Sequence, residues 1–226
     1  MNRIFAGMSL FKEVTSLIHK EILLEWRFKY AINGILLYVV STVFVCYQAF
    51  KSVDSTTWNA LFWIILLFAS INAINKSFVQ ESRQRQLYYY TVASAKAIIL
   101  SKILYNMLIM LLLSAIAFVV YSLIFQNPLG DPLLYALSVA LGSTGFASVF
   151  TMVSAISSKT GNNSTMMAIL SFPIVIPLLL VLIKVSNHAL DGLDRSVSVD
   201  ELLVLLAINI ITVAISLLLF PYLWRD

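Results

Sequence analysis

The sequence predicts an all-α membrane protein in which six transmembrane helices follow an N-terminal amphipathic helix. Hydrophobic residues make up 60% of the 226 residues and charged residues only 12%, and the mean hydropathy is +0.91. Soluble globular domains are much less apolar than this. The apolar residues also fall in runs of about 20, the length that a helix needs to cross a hydrocarbon core of roughly 30 Å. These runs lack the alternation of barrel strands, so each is expected to be a helix.

The first element is a predicted helix over residues 9–30, which is too charged to span a membrane. Apolar residues recur along it at helical spacing and predict one apolar stripe: Phe11, Val14, Ile18, Ile22 and Trp26. We expect this helix to lie flat at the cytoplasmic membrane interface, with Trp26 near the lipid headgroups and three basic residues in water: Lys12, Lys20 and Arg27. A soluble helix packed against a partner subunit is the alternative.

Six apolar segments follow, and we predict that each one spans the membrane: residues 31–50, 58–75, 98–125, 132–156, 165–186 and 200–223. Gly142 and Gly145 belong to a group of small residues in the fourth span, which lets a neighbouring helix approach closely. Pro173 and Pro177 each remove a backbone N–H donor from the fifth span and predict a kink there. The whole chain, residues 1–226, is interpreted as one transmembrane domain.

The basic residues indicate the orientation of these spans. The N-terminal segment and the 76–102 region together hold ten of the 15 lysine and arginine residues, whereas the alternate connections are mainly acidic. Connections rich in lysine and arginine remain in the cytoplasm, so both termini are predicted to be cytoplasmic. The positive net charge therefore follows from membrane topology and needs no nucleic-acid partner.

The chain lacks the motifs of an energy source or a catalytic site of its own. The sequence Ser158-Lys159-Thr160-Gly161 lacks the preceding glycines of a phosphate-binding loop. His19 and His188 are predicted on opposite sides of the membrane, which excludes a joint metal site. Both also lie outside the predicted spans, whereas a rhomboid-like protease needs a serine and a histidine at matching membrane depth. His188 alone in its loop could touch a haem or a metal, but a solvated histidine is the commoner case. We therefore predict no metal site, no directly bound cofactor and no enzymatic activity.

A long polar segment, residues 76–97, separates the second span from the third, and we call it the docking segment. Charged side chains beside amphipathic aromatic residues are typical of a protein-binding surface. The candidate contact residues are Glu81, Arg83, Arg85, Gln86, Leu87 and Tyr88. The alternative is a solvated loop whose tyrosines belong to the aromatic belt of the membrane.

This order of features resembles the membrane subunits of ABC-2-type ABC transporters, and more closely the haem exporter protein B family, CcmB. Four stretches carry the resemblance: FKEVTSLIHKEILLEWRFK, FVQESRQRQLYYYTVASAKAIILSKILYN, LGSTGFASVFTMVSA and LSFPIVIPLLL. The resemblance implies the six spans of an ABC-2 permease in the bacterial inner membrane and a role in c-type cytochrome biogenesis. Many family members have a Leu-Glu-x-Leu run followed by several prolines before the lysine of the third span, whereas this region reads Gln86-Leu87-Tyr88-Tyr89-Tyr90 here and has no proline.

The resemblance also implies the partners. A separate cytoplasmic ATPase subunit, CcmA-like, would bind ATP and grip the docking segment. The complex would include a haem-handling CcmC-like subunit, a small CcmD-like subunit, a CcmE-like haem chaperone and a second copy of this chain. ATP hydrolysis would drive haem export or release of the haem-loaded chaperone. The alternatives are an ABC-2 permease for a lipid, drug or polysaccharide, and a membrane scaffold without energy coupling.

Overall fold

A computed structural model describes residues 10–28, 30–50, 53–74, 93–126, 128–158 and 163–225. Over these residues the regular elements are all helical, so the prediction of an all-α fold is confirmed. The helices are α1 (Leu10–Phe28), α2 (Tyr30–Ala49), α3 (Ser55–Ile74), α4 (Ala95–Ile124), α5 (Pro132–Ser157), α6 (Asn163–Leu190) and α7 (Val199–Arg225), with a 3₁₀ turn at Arg195–Ser198.

Five of the described helices contain segments long and apolar enough to cross a membrane: Ser55–Ile74, Ala95–Ile124, Pro132–Ser157, Thr165–Leu190 and Arg195–Leu223. The apolar part described for α2, Asn33–Ala49, is shorter. These helices confirm a multi-pass membrane protein in composition and length. The exact count of six spans stays a prediction.

The helix α5 forms the centre of the bundle and packs against α3, α4, α6 and α7. In its most apolar part 67% of the residues are buried, compared with 22% in α7. Glycine permits this packing, because a methyl group added at Gly142 would lie 2.6 Å from the ring of Trp63 and 3.0 Å from Leu182. At Gly145 the added methyl would lie 3.0 Å from Leu178. Both glycines therefore lie where α5 meets its neighbours most closely.

Polar and aromatic contacts set the position of α3 against α6 and α4. The side-chain amide of Asn59 donates to the Ser186 hydroxyl at 2.8 Å, and the indole N–H of Trp63 donates to the same hydroxyl at 2.8 Å. The Tyr121 hydroxyl on α4 donates to the backbone carbonyl of Trp58 at 2.9 Å, and their rings lie 4.8 Å apart. Because lipid offers no substitute hydrogen bonds, these contacts fix which residues of the three helices face one another.

The far end of the bundle, where α4 and α6 end and α5 and α7 begin, is closed by contacts between two connections. Asp131 caps α5 by accepting from the backbone N–H groups of Leu133 at 3.0 Å and Leu134 at 3.1 Å. Its carboxylate also accepts from Arg195, at 2.5 Å from Nε and 3.0 Å from the second guanidinium nitrogen. Gly130 and Gly192 meet backbone to backbone, and Gly192 has a φ of +65°, which favours glycine.

The fifth predicted span is longer than expected, because α6 continues to Leu190. Pro173 and Pro177 both lie inside this helix, which continues through them without a break. The kink expected at these prolines stays a prediction. The connection between α6 and α7 is correspondingly short, with the 3₁₀ turn Arg195–Ser198 directly before α7.

Substitution of Gly142 by alanine is expected to lower the free energy of unfolding by about 1–3 kcal/mol, the usual cost of overpacking a filled core. The ring that the new methyl would meet, Trp63, is itself fully buried. Gly34→Ala in α2 is the matched control, because an added methyl there meets nothing within 4 Å. Thermal unfolding of both variants in detergent measures the difference. Equal unfolding temperatures for Gly142→Ala and the wild type would contradict the packing described here.

Protonation of Asp131 is expected to weaken its contacts with Arg195 and with the N-terminus of α5 at the far end of the bundle. The hydrogen bonds from Arg195, and then from the backbone of Leu134, lower the pKa of Asp131 from 3.8 to about 2. A carboxylate whose pKa is lower in the folded than in the unfolded protein stabilises the fold at pH values above its unfolded-state pKa. This stabilisation disappears as the pH falls from about 4 to about 2.

Asp131→Asn isolates the contact with Arg195, because asparagine still caps a helix. The unfolding temperature of this variant should lie below that of the wild type at about pH 6, and the difference should vanish near pH 2. A difference that does not change over this range would contradict the prediction.

Candidate functional site

The start of α4 is held by a carboxylate from another helix. Ser94 is the N-cap of α4, and its hydroxyl accepts from the backbone N–H of Ala97 at 3.3 Å. The first turn of α4 has no acidic residue. Instead, Glu13 of α1 accepts from the Ser94 backbone N–H at 3.1 Å and from its hydroxyl at 2.7 Å. Glu13 thus places a negative charge at the positive end of the α4 dipole.

Glu21 forms the second contact between α1 and α4. One of its carboxylate oxygens lies 3.5 Å from the Lys102 ammonium and 2.9 Å from the Lys20 ammonium. The Lys102 side chain is only 5% exposed and that of Glu21 is 17% exposed. Burial raises the pKa of Glu21, but the charges of Lys102 and Lys20 and the hydrogen bonds from both lysines together outweigh it, so the net pKa lies below the usual value. Glu21 is therefore ionised near neutral pH and neutralises a buried lysine.

The third contact shows how the two helices are aligned. The Tyr105 hydroxyl of α4 donates to Glu25 at 3.4 Å. The partners in the three contacts differ by 81, 81 and 80 positions along the chain. Such a constant offset requires α1 and the first turns of α4 to run side by side in the same direction.

The length of α4 explains where this contact lies. Its 30 residues extend to about 45 Å, roughly 15 Å more than a hydrocarbon core requires. The α1 contact covers the first turns, from Ser94 to Tyr105. The extra length of α4 therefore lies at the near end of the bundle, where α4 begins and α5 ends. The helix α1 packs along this part of α4.

Apolar residues complete the same interface. Val14 of α1 is buried, and Leu17 packs on a cluster from α4, α5 and α7 formed by Ile98, Ile99, Ile103, Ala155 and Phe220. Phe11 and Ile22, two residues of the predicted stripe, are 75% and 39% exposed and are therefore available to lipid. The placement of α1 at the membrane interface stays a prediction.

The docking segment is described only in its last residues. Its candidate contact residues all lie outside the described residues: Glu81, Arg83, Arg85, Gln86, Leu87 and Tyr88. The described part begins at Ala93, one residue before the cap Ser94. Because α4 begins at Ala95, the last three residues of the docking segment belong to this helix, and the anchor formed by Glu13 lies where the helix begins.

The other predicted residues lie away from this contact. Gly142, Gly145, Pro173 and Pro177 belong to the bundle, where α5 and α6 pack together. His188, predicted in a loop, lies instead in the last turn of α6 at the far end, because this helix continues to Leu190, and its Nδ1 is 2.9 Å from the Ser198 hydroxyl. The structure therefore gives His188 a local polar partner within the connection between α6 and α7.

Sequence reasoning missed the three glutamates of α1. Glu13, Glu21 and Glu25 are eight and four positions apart, which places them on one helical face. Lys102, within an otherwise apolar run, was the other available signal, because a lysine in such a run needs a counter-charge. Only the fold shows that the acidic face and the lysine meet.

Comparison with known protein families matches residues 12–222 to the family model described as CcmB protein. The matched range includes both sides of the contact between α1 and α4, and also the docking segment. A search of the curated proteins finds no match to this chain.

Removal of either charge from the Glu21–Lys102 pair is expected to destabilise the protein by about 1–3 kcal/mol, because the other charge is left buried with weaker compensation. The variants are Glu21→Gln, Lys102→Gln and the double substitution, with Lys12→Gln as control because Lys12 is an exposed charge on the same helix as Glu21. Unfolding in detergent should show a coupling energy of at least about 0.5 kcal/mol between Glu21 and Lys102. Strict additivity of the two single effects would contradict a direct interaction.

Proposed function

Since the family model covers residues 12–222, the chain belongs to the CcmB family, and we propose that it couples ATP hydrolysis by another subunit to haem delivery. Membership makes the chain a permease component of an ABC transporter for c-type cytochrome biogenesis. The permease component is not itself catalytic. The five long apolar helices agree with this membrane role. The family match is the observation that carries the proposal.

The proposed complex has the composition of a cytochrome c maturation transporter. A CcmA-like ATPase binds ATP in the cytoplasm. A CcmC-like membrane subunit handles the haem together with a CcmE-like chaperone, and a small CcmD-like subunit completes the complex. Two copies of this chain form the permease part of the complex, in the bacterial inner membrane with both termini in the cytoplasm. The concentration of basic residues in alternate connections supports this orientation.

Coupling in this proposal begins at the docking segment. The ATPase contacts Glu81, Arg83 and Arg85, with Gln86, Leu87 and Tyr88 beside them, and displaces the segment when ATP binds. The movement then passes to α4, whose first residue directly follows the anchored cap Ser94. Close packing around α5 favours transmission by whole helices, because filled interiors move between discrete arrangements rather than deforming smoothly. The result is export of haem or release of the haem-loaded chaperone.

Reversal of two charges in the docking segment tests the proposal. In a strain that lacks this chain, expression of the wild type should restore haem-stained c-type cytochromes, and the ATPase should co-purify with it. The double substitution Arg83→Glu and Arg85→Glu should abolish both while the protein still inserts in the membrane, because the ATPase then meets charges of the wrong sign.

The matched control reverses two basic residues of the N-terminal segment, Arg3→Glu and Lys12→Glu, and should behave as the wild type. Normal recovery of the ATPase with the Arg83 and Arg85 variant would refute the docking site. Haem-stained cytochromes in the strain that lacks the chain altogether would refute the function.

A further inference from the structure

We propose that Glu13, Glu21 and Glu25 are positioning residues that hold α1 against the start of α4, so that both helices move as one rigid body, which we call the lever. This inference rests on the proposed function, in which an ATPase displaces the docking segment. It adds that the moving part is the pair of helices rather than α4 alone. The interface between α1 and α4 should accordingly stay closed throughout the ATP cycle.

The spacing of the contacts supports a lever. Ser94 and Tyr105, the first and last contact residues on α4, are 11 positions apart, which corresponds to about 16 Å along a helix. A single attachment would allow α1 to pivot on α4. Three attachments over this length, with Glu21 and Lys102 between the other two, fix the direction of α1 as well as its position.

Burial makes sliding between the helices unfavourable. A shift of one helical turn, about 5.4 Å, would separate Lys102 from Glu21 and Ser94 from Glu13. The Lys102 side chain is almost fully enclosed, so water cannot easily replace the lost carboxylate. Leu17 would also leave its place on the cluster that contains Ile98.

Chain connectivity then extends the lever into the membrane part of the bundle. α1 ends at Phe28 and α2 begins at Tyr30, so only residue 29 separates the two helices. α2 packs in turn against α3 and α4. A displacement of the start of α4 therefore reaches α2 through α1 as well as through direct contact.

A reversible cross-link tests whether α1 and α4 move together. In a Cys46→Ala background, Leu17→Cys and Ile98→Cys place thiols on residues of one packed cluster, at the same offset of 81 positions as the carboxylate contacts. A short bifunctional methanethiosulfonate joins the thiols, and dithiothreitol releases them. The measurement is ATP-dependent release of the haem-loaded chaperone per ATP hydrolysed, in proteoliposomes that contain the whole complex. Each sample is compared with itself before and after reduction, so differences in folding cancel.

The lever predicts two results. The cross-linked wild-type background should release the chaperone as efficiently as the reduced sample. The double substitution Glu13→Gln and Glu21→Gln should lower release per ATP about tenfold when reduced, and the cross-link should restore it. A role of the glutamates in folding alone would not be repaired by joining Leu17 to Ile98. Lys12→Gln, which removes an exposed charge from the same helix, should not change the ratio.

The opposing results are equally specific. Loss of release when the wild-type background is cross-linked would mean that α1 and α4 slide during the cycle, and would overturn the lever. Normal release by the Glu13 and Glu21 variant, or a defect that the cross-link leaves unrepaired, would also overturn it. Absence of ATP-driven release from the reduced wild type would refute chaperone release as the outcome of the proposed function, and the lever with it.

Discussion

Polar groups within the bundle depend on partners inside the protein, because lipid tails offer no hydrogen bonds. Serine and threonine hydroxyls along α5 meet this demand by bonding to carbonyl groups of their own helix, as Ser143 does to Val139 at 2.7 Å. Two buried side-chain amides instead reach other helices. Asn106 of α4 donates to Thr151 of α5 at 2.7 Å, and Asn59 of α3 donates to Ser186 of α6. These bonds determine which helices are neighbours, and the apolar side chains fill the space between them.

The two ends of the bundle use the same chemistry in different ways. At each end, carboxylates accept hydrogen bonds at the N-terminus of a helix and pair with a basic residue. At the far end one residue, Asp131, both caps α5 and binds Arg195. At the near end the tasks are divided, since Glu13 binds the cap of α4 and Glu21 binds Lys102. The division spreads the attachment over several turns, which favours a rigid interface where the ATPase is proposed to act.

The sequence predicted the properties that depend on local composition. Apolar runs predicted the long helices, and small residues such as Gly142 and Gly145 lie where α5 packs closely. The contacts between α1 and α4 were not predictable in this way, because Glu21 and Lys102 are 81 positions apart and only the fold makes them neighbours. The same holds for Asp131 and Arg195, although the cap by Asp131 before Pro132 is a local signal. The docking contacts around Arg83 lie outside the described residues and stay a prediction.

The buried lysine of α4 has a consequence for how the protein is made. A lysine in a membrane helix opposes insertion by roughly 2.5–3.5 kcal/mol when it lies at the centre of the bilayer, and less near the surface. Ribosomes synthesise α1 long before α4, so the Glu21 carboxylate is already present when Lys102 emerges. Glu21 of α1 can thus act as the counter-ion of Lys102 while α4 is being inserted. The order of the helices along the chain therefore places the carboxylate before the lysine that it neutralises.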